Sequence, residues 1–177
     1  ATAEVVRYFD AEPLLIDSDA DTLCISPSAL EETLARYPKA AERLRAIIPV
    51  HYGGVMADMA AIRTIAERHQ AAIVEDAAHA IPCADRSDNG AWHHAGSIGR
   101  VGCFSFYANK CITTGEGGMA TTNDSDIADR MRLMSLHGLS KDAWNRYRGG
   151  GWKYDIVAPG YKYNLTDIAA SLGLSQL

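Results

Sequence analysis

The chain has 177 residues with 47% hydrophobic residues, enough to bury a core, and reads as one compact domain. Its formal charge of −5, from 17 basic against 22 acidic residues, provides no basic stripe of the kind nucleic-acid binding requires. It has no signal peptide pattern and no apolar run long enough to span a bilayer, so the sequence points to a cytoplasmic protein with no membrane partner. Cys24, Cys83, Cys103 and Cys111 show no CxxC pair and no zinc-type His spacing. They read as reduced, mostly buried thiols, and no metal site is indicated.

In chain order, Leu14 to Asp17 reads as a short strand. Pro27 opens a helix through Leu34, with Ser26 as N-cap and Pro27 at the first helical position. Ala46 to Val50 reads as a buried strand ending at a Gly53-Gly54 turn. Asp58 to Gln70 places Met59, Ile62, Ile65 and Ala66 at helical spacing, with Arg63, Glu67 and Arg68 opposite, which predicts an amphipathic helix. Ala71 to Val74 is an apolar run suited to a strand covered on both faces. Strand, helix and strand at this length make a βαβ unit with a right-handed crossover.

Residues 85–100 are polar, with Trp92, His93 and His94, and read as a surface excursion. Gly102 to Tyr107 and Gly118 to Thr122 return to strand, and Asp124 to Leu136 reads as a helix with Ile127, Met131 and Met134 on one stripe. Gly149-Gly150-Gly151 and Pro159 argue against regular structure from Gly138 to Gly160. A last helix begins near Thr166 and carries Ile168, Ala169, Leu172 and Leu174.

Two residues suggest chemistry. Asp76 directly follows Ile73-Val74-Glu75, at the carboxyl end of a predicted parallel strand, where open α/β sheets place ligands. Lys110 follows the strand Ser105-Phe106-Tyr107 and precedes the glycine-rich Thr114-Gly115-Glu116-Gly117-Gly118. A lysine amine for a Schiff base and a carboxylate for a ring nitrogen are what a pyridoxal phosphate enzyme needs. Each also has a plainer reading: Asp76 as a helix N-cap and Lys110 as a solvated surface lysine.

Taken together, Ile48-Pro49-Val50-His51-Tyr52-Gly53, Val74-Glu75-Asp76-Ala77-Ala78-His79-Ala80, the Lys110 segment, His137-Gly138-Leu139-Ser140 with Asp142-Ala143-Trp144, and Gly160-Tyr161-Lys162-Tyr163-Asn164-Leu165-Thr166-Asp167 resemble the DegT-type family of sugar aminotransferases, of fold-type I. The resemblance implies a three-layer α-β-α sandwich with a mostly parallel sheet, part of that group's large domain. The family's upstream phosphate-binding loop and its small C-terminal domain have no counterpart in residues 1–177, so the sequence resembles a fragment.

By the same resemblance, Lys110 carries the cofactor pyridoxal 5'-phosphate and moves the substrate proton, a task that requires its pKa to be lowered by desolvation or a nearby cation. Asp76 pairs with the ring nitrogen and Ser105 donates to the cofactor phosphate, or else satisfies nearby backbone. His79 reaches the phenolic oxygen, or else is a satisfied core histidine. His51 and Tyr52 lie beyond a strand end, where either can face the site, and read as supporting residues only. Gly115 to Gly118 are structural glycines.

Lys162 and Asn164 occupy the positions where many relatives have Asn and Arg, and one of them reaches the cofactor phosphate of a partner subunit, implying a homodimer. Relatives acting as sugar dehydratases carry histidine at the Schiff-base position, so Lys110 favours amino transfer. The segment from His137 to Trp144 with Arg146 resembles the variant in members acting at carbon 4 of a nucleotide-linked keto-sugar, where Trp144 and Arg146 contact sugar or diphosphate or else pack. The implied reaction passes an amino group from glutamate to a nucleoside-diphosphate keto-deoxysugar. A non-catalytic or regulatory relative, and another fold-type I enzyme, are the competing readings.

Overall fold

A computed structural model describes residues 1–86, 90–139 and 155–177. The elements are α1 (Thr2–Arg7), α2 (Pro27–Arg36), α3 (Pro38–Glu42), β1 (Ala46–Ile47), a 3-10 turn (Tyr52–Gly54), α4 (Met59–Arg68), β2 (Ala72–Asp76), β3 (Ala84–Arg86), β4 (Trp92–His94), β5 (Val101–Ser105), β6 (Gly118–Thr121), α5 (Ser125–Ser135) and α6 (Asp167–Leu174).

The main sheet has the order β1-β2-β5-β6. The first two pairings are parallel and the last antiparallel, so the sheet is mostly parallel as expected of this α/β fold. Residues 85–100 are not wholly irregular: β3 and β4 form an antiparallel ribbon, Asp85 opposite His93 and Arg86 opposite Trp92. Its strands are three residues each and exposed along nearly their whole length, so they carry no apolar alternation to separate them from a loop.

Helix starts follow the sequence. Ser26 Oγ accepts from the Ala29 N–H at 3.2 Å, Asp58 Oδ1 from the Ala61 N–H at 2.9 Å, and Thr166 Oγ1 from the Ala169 N–H at 3.2 Å. Asp124 caps α5 through the N–H groups of Asp126 and Ile127. Each cap satisfies donors that the first helical turn leaves without an intrahelical partner.

The core lies between one face of the sheet and the α2–α4 pair. Ile47 and Ile73 meet Ile62, Ile65 and Ala66 of α4 and Leu30 and Leu34 of α2, with Ile62 fully buried. Burying each such side chain stabilises the fold by about 1.5–3 kcal/mol. Strand alternation sends Val74, Asp76, Cys103 and Ser105 to the opposite face, which α1 meets where Thr2 donates to Asp76.

Three expectations need correction. Residues 14–17 form no strand; only an isolated Ser18–Ile25 bridge follows, and Leu15 stays 77% exposed because nothing covers its apolar side chain. β1 is only two residues long, since Pro49 has no N–H to continue the ladder and pairing resumes only at the Val50–Asp76 bridge. Among the four cysteines Cys24 alone is buried, while Cys103 and Cys111 are exposed; all four are free thiols. On α5 the expected stripe of Ile127, Met131 and Met134 is half-buried.

Candidate active site

β2 and β5 are parallel, with Asp76 in register with Cys103, so Ser105 lies one pleat further along on the same face. From strand rise and spacing the Asp76 and Ser105 Cα atoms are separated by roughly 8 Å. Both stand at the carboxyl ends of their strands, the edge where parallel sheets present ligand-binding groups.

Lys110 is half-buried in the turn after β5, its N–H donating to the Tyr107 carbonyl at 3.0 Å. With His79, Gly53, Ala78, Ile81, Asn109 and Cys111 it lines a cavity of about 300 Å³. A larger cleft of about 480 Å³ opens at the opposite edge, around Arg45, Arg63 and Arg100, and contains none of the residues expected to do chemistry.

The structure therefore brings Lys110 and His79 to one cavity. Asp76 and Ser105 stand on the adjacent strand ends without lining it. His79 is exposed and is not a core histidine; its ring lies 5.8 Å from that of Tyr52. Asp76 Oδ1 accepts from the Ala78 N–H at 3.1 Å and Oδ2 from the Thr2 hydroxyl at 2.5 Å. One carboxylate thus caps the turn through Oδ1 and ties α1 to the strand end through Oδ2. Ser105 Oγ accepts from the Tyr107 N–H at 3.3 Å and keeps its own proton to donate elsewhere.

Beyond Lys110 the chain turns through Thr114, whose Oγ1 donates to the Glu116 carbonyl at 2.7 Å. Gly115 takes φ +79°, and a side chain on Gly118 would sit 2.7 Å from the Phe104 carbonyl, so these glycines are structural. Lys162 Nζ donates to Asn164 Oδ1, and Leu136 bridges Lys162 at the end of α5. Both residues are exposed and neither lines the Lys110 cavity. Ser140 to Arg146, including Trp144, lie outside the described residues.

The feature that sequence reasoning missed is Glu75. Its side chain is fully buried against fully buried His51, with Nε2 to Oε2 at 2.9 Å. Burial alone raises its carboxyl pKa, but hydrogen bonds from His51 and from the Gly99, Gly96 and Ile98 N–H groups outweigh it and hold the carboxyl below the usual range. A charged residue inside an otherwise apolar strand run was the available signal. Cys103, beside Asp76, has its thiol pushed up by desolvation and then by the Asp76 and Glu75 charges, so it stays protonated near neutral pH.

A cavity holding an amine and an imidazole, with a carboxylate and a hydroxyl on the neighbouring strand ends, lies at the carboxyl edge of a mostly parallel sheet, where α/β proteins place their ligands. The whole chain, residues 1–177, matches the DegT/DnrJ/EryC1/StrS aminotransferase family model, and the protein belongs to that family.

It is 44% identical over 178 residues to the spore coat polysaccharide biosynthesis protein SpsC of Bacillus subtilis, covering all of this chain and 43% of that one. A Streptococcus pneumoniae structure described as a sugar aminotransferase in its PMP-form is 33% identical, with a TM-score of 0.80 over 99% of this chain and 46% of that one. DesI, solved in the presence of its TDP-sugar product, is 28% identical, with a TM-score of 0.75 over 99% of this chain and 39% of that one. The chain spans less than half the length of these relatives.

Proposed function

We propose that the protein carrying this chain is a pyridoxal phosphate-dependent sugar aminotransferase, passing an amino group from glutamate to a nucleoside-diphosphate-linked keto-deoxysugar, at carbon 4. The observation that carries this reading is Lys110 opening with His79 into the 300 Å³ cavity, next to the Asp76 and Ser105 strand ends, in a member of this family. The donor set fits the cofactor. When bound, pyridoxal phosphate supplies an electron sink that stabilises charge at the carbon losing its proton.

The chain's own residues then divide the work. Asp76, a carboxylate oriented by the Ala78 N–H and the Thr2 hydroxyl, would hold the ring nitrogen's proton. Ser105 offers its hydroxyl proton to the phosphate, and His79 stands at the cavity wall where it can meet the phenolic oxygen. Lys110 anchors the cofactor through its Nζ and afterwards carries the proton taken from the donor.

Relatives named for polysaccharide biosynthesis and for a TDP-sugar product support a nucleotide-sugar acceptor. The exposed Lys162–Asn164 pair, lying off the Lys110 cavity, fits a contact to a partner subunit's cofactor in a homodimer. Among the described residues no helix is long and apolar enough to cross a membrane.

The test is to load the full-length protein with pyridoxal phosphate, reduce it with borohydride and map the labelled peptide. Label on Lys110 alone, and conversion of the visible spectrum by glutamate, is the expected result. Label scattered over other lysines overturns the lysine assignment, and conversion by another amine but not by glutamate overturns the donor.

A further inference from the structure

Glu75 lies beneath the site and touches none of its cavity. Its Oε2 accepts from His51 Nε2 at 2.9 Å and from the Gly96 N–H at 2.8 Å; its Oε1 accepts from the Ile98 N–H at 2.7 Å and the Gly99 N–H at 2.5 Å. The other ring nitrogen of His51, Nδ1, accepts from the Ala57 N–H at 3.2 Å. An accepting Nδ1 carries no proton, so the imidazole is neutral and its single N–H, on Nε2, points at Glu75. A single anion is thus buried with four donors around it.

Apolar side chains would fill the same volume at a lower desolvation cost. What the charge adds is a fixed point. Through it the loop 96–99 and the loop 51–57 are tied to β2, one residue from Asp76. The backbone repeats the tie: the His51 N–H donates to the Asp76 carbonyl at 3.0 Å, the Asp76 N–H to the Pro49 carbonyl at 2.9 Å, and the Ala77 N–H to the Cys103 carbonyl at 2.8 Å. Two residues beyond His51, Gly53 forms part of the Lys110 cavity wall.

We propose that Glu75 and neutral His51 form a positioning pair, which fixes the Asp76 carboxylate on one side and the Gly53 wall of the Lys110 cavity on the other. The inference rests on the aminotransferase reading for its ligand, though not for its mechanics. An Asp76 displaced by even about 1 Å loses much of its purchase on a bound ring.

The experiment uses the full-length protein with E75Q, H51N and H51Q. Asn at position 51 keeps an acceptor toward Ala57 and removes the donor to Glu75; Gln keeps a donor toward Glu75. Amide hydrogen exchange is followed in the cofactor-free protein, and affinity for added pyridoxal phosphate and the pH midpoint of its visible band are measured well below the melting temperature.

The expected result is about tenfold faster exchange at Asp76 and Ala77 in H51N, with α2 unchanged, since local opening is freed without global unfolding. Cofactor affinity falls about tenfold or more and the band's midpoint moves, with H51Q closer to wild type than H51N. If E75Q does not fold, the His51 pair decides alone. Folded H51N with wild-type exchange, or with wild-type cofactor affinity and midpoint, overturns the pair. A wild-type protein that takes up no pyridoxal phosphate overturns the proposed function, and the exchange rates then decide the pair by themselves.

Discussion

Lys110 lies past the last ladder bond of β5, in a turn of its own, so its side chain can be changed without unpairing a strand. K110A is expected to abolish multiple-turnover amino transfer while shifting stability by no more than about 0.5 kcal/mol, as for other substitutions that leave no buried group unpaired. Turnover assays and thermal melts of the full-length protein check this. Glu75 behaves oppositely. Its folded-state pKa lies below the ordinary 4.5, so its stabilising contribution is full above that value and is lost as the pH falls through the folded-state value. Denaturant midpoints between pH 7 and 3 should show a decline below about pH 4.5 that is flattened in E75Q. Asp76 was legible because a carboxylate ending an apolar strand is unusual; Glu75, one residue earlier, was overlooked because its four donors come from two distant segments.

At the scale of the elements, α2 is defined by local chemistry and α4 by burial. S26A removes the acceptor for the Ala29 N–H and should cost about 1 kcal/mol. I62A, at a position with no exposure, should cost about 2–5 kcal/mol, since a cavity remains between α4 and the sheet. Urea titrations with an unchanged slope check both. Gly102 of β5 packs on the Gly96 backbone, so that no side chain fits between them. G102A is expected to cost about 1–3 kcal/mol and to disturb the turn that donates to Glu75. The helix starts were readable because a cap acts over three residues. The missing strand at 14–17 was not, because a strand needs a neighbour that only the folded chain supplies.

Across the whole molecule, apolar surface is distributed unevenly. α2 and α4 bury their stripes, yet on α6 Ile168 is 78% exposed and Leu174 70%. Tyr161 and Tyr163 stack face to face at 4.9 Å, with Tyr163 73% exposed. Residues 1–177 expressed alone are expected to self-associate, and replacing Ile168 and Leu172 by aspartate should reduce this without altering the α2–α4 core. Sedimentation velocity over a concentration series checks it, and a species whose size ignores both concentration and the substitutions contradicts it.

The sequence by itself determined the mostly parallel α/β order, most of the helix starts, the glycine turn and the candidacy of Asp76 and Lys110, because each depends on spacing, capping or side-chain chemistry within a few neighbours, while Ser105 and His79 were candidates through the family resemblance alone. Tertiary structure alone decided that His79 faces a cavity while His51 is sealed in the core, that Cys103 lies beside Asp76, and that Glu75 gathers donors from His51, Gly96, Ile98 and Gly99. Burial and long-range hydrogen bonding depend on which segments meet, and side-chain type and local spacing do not carry that information.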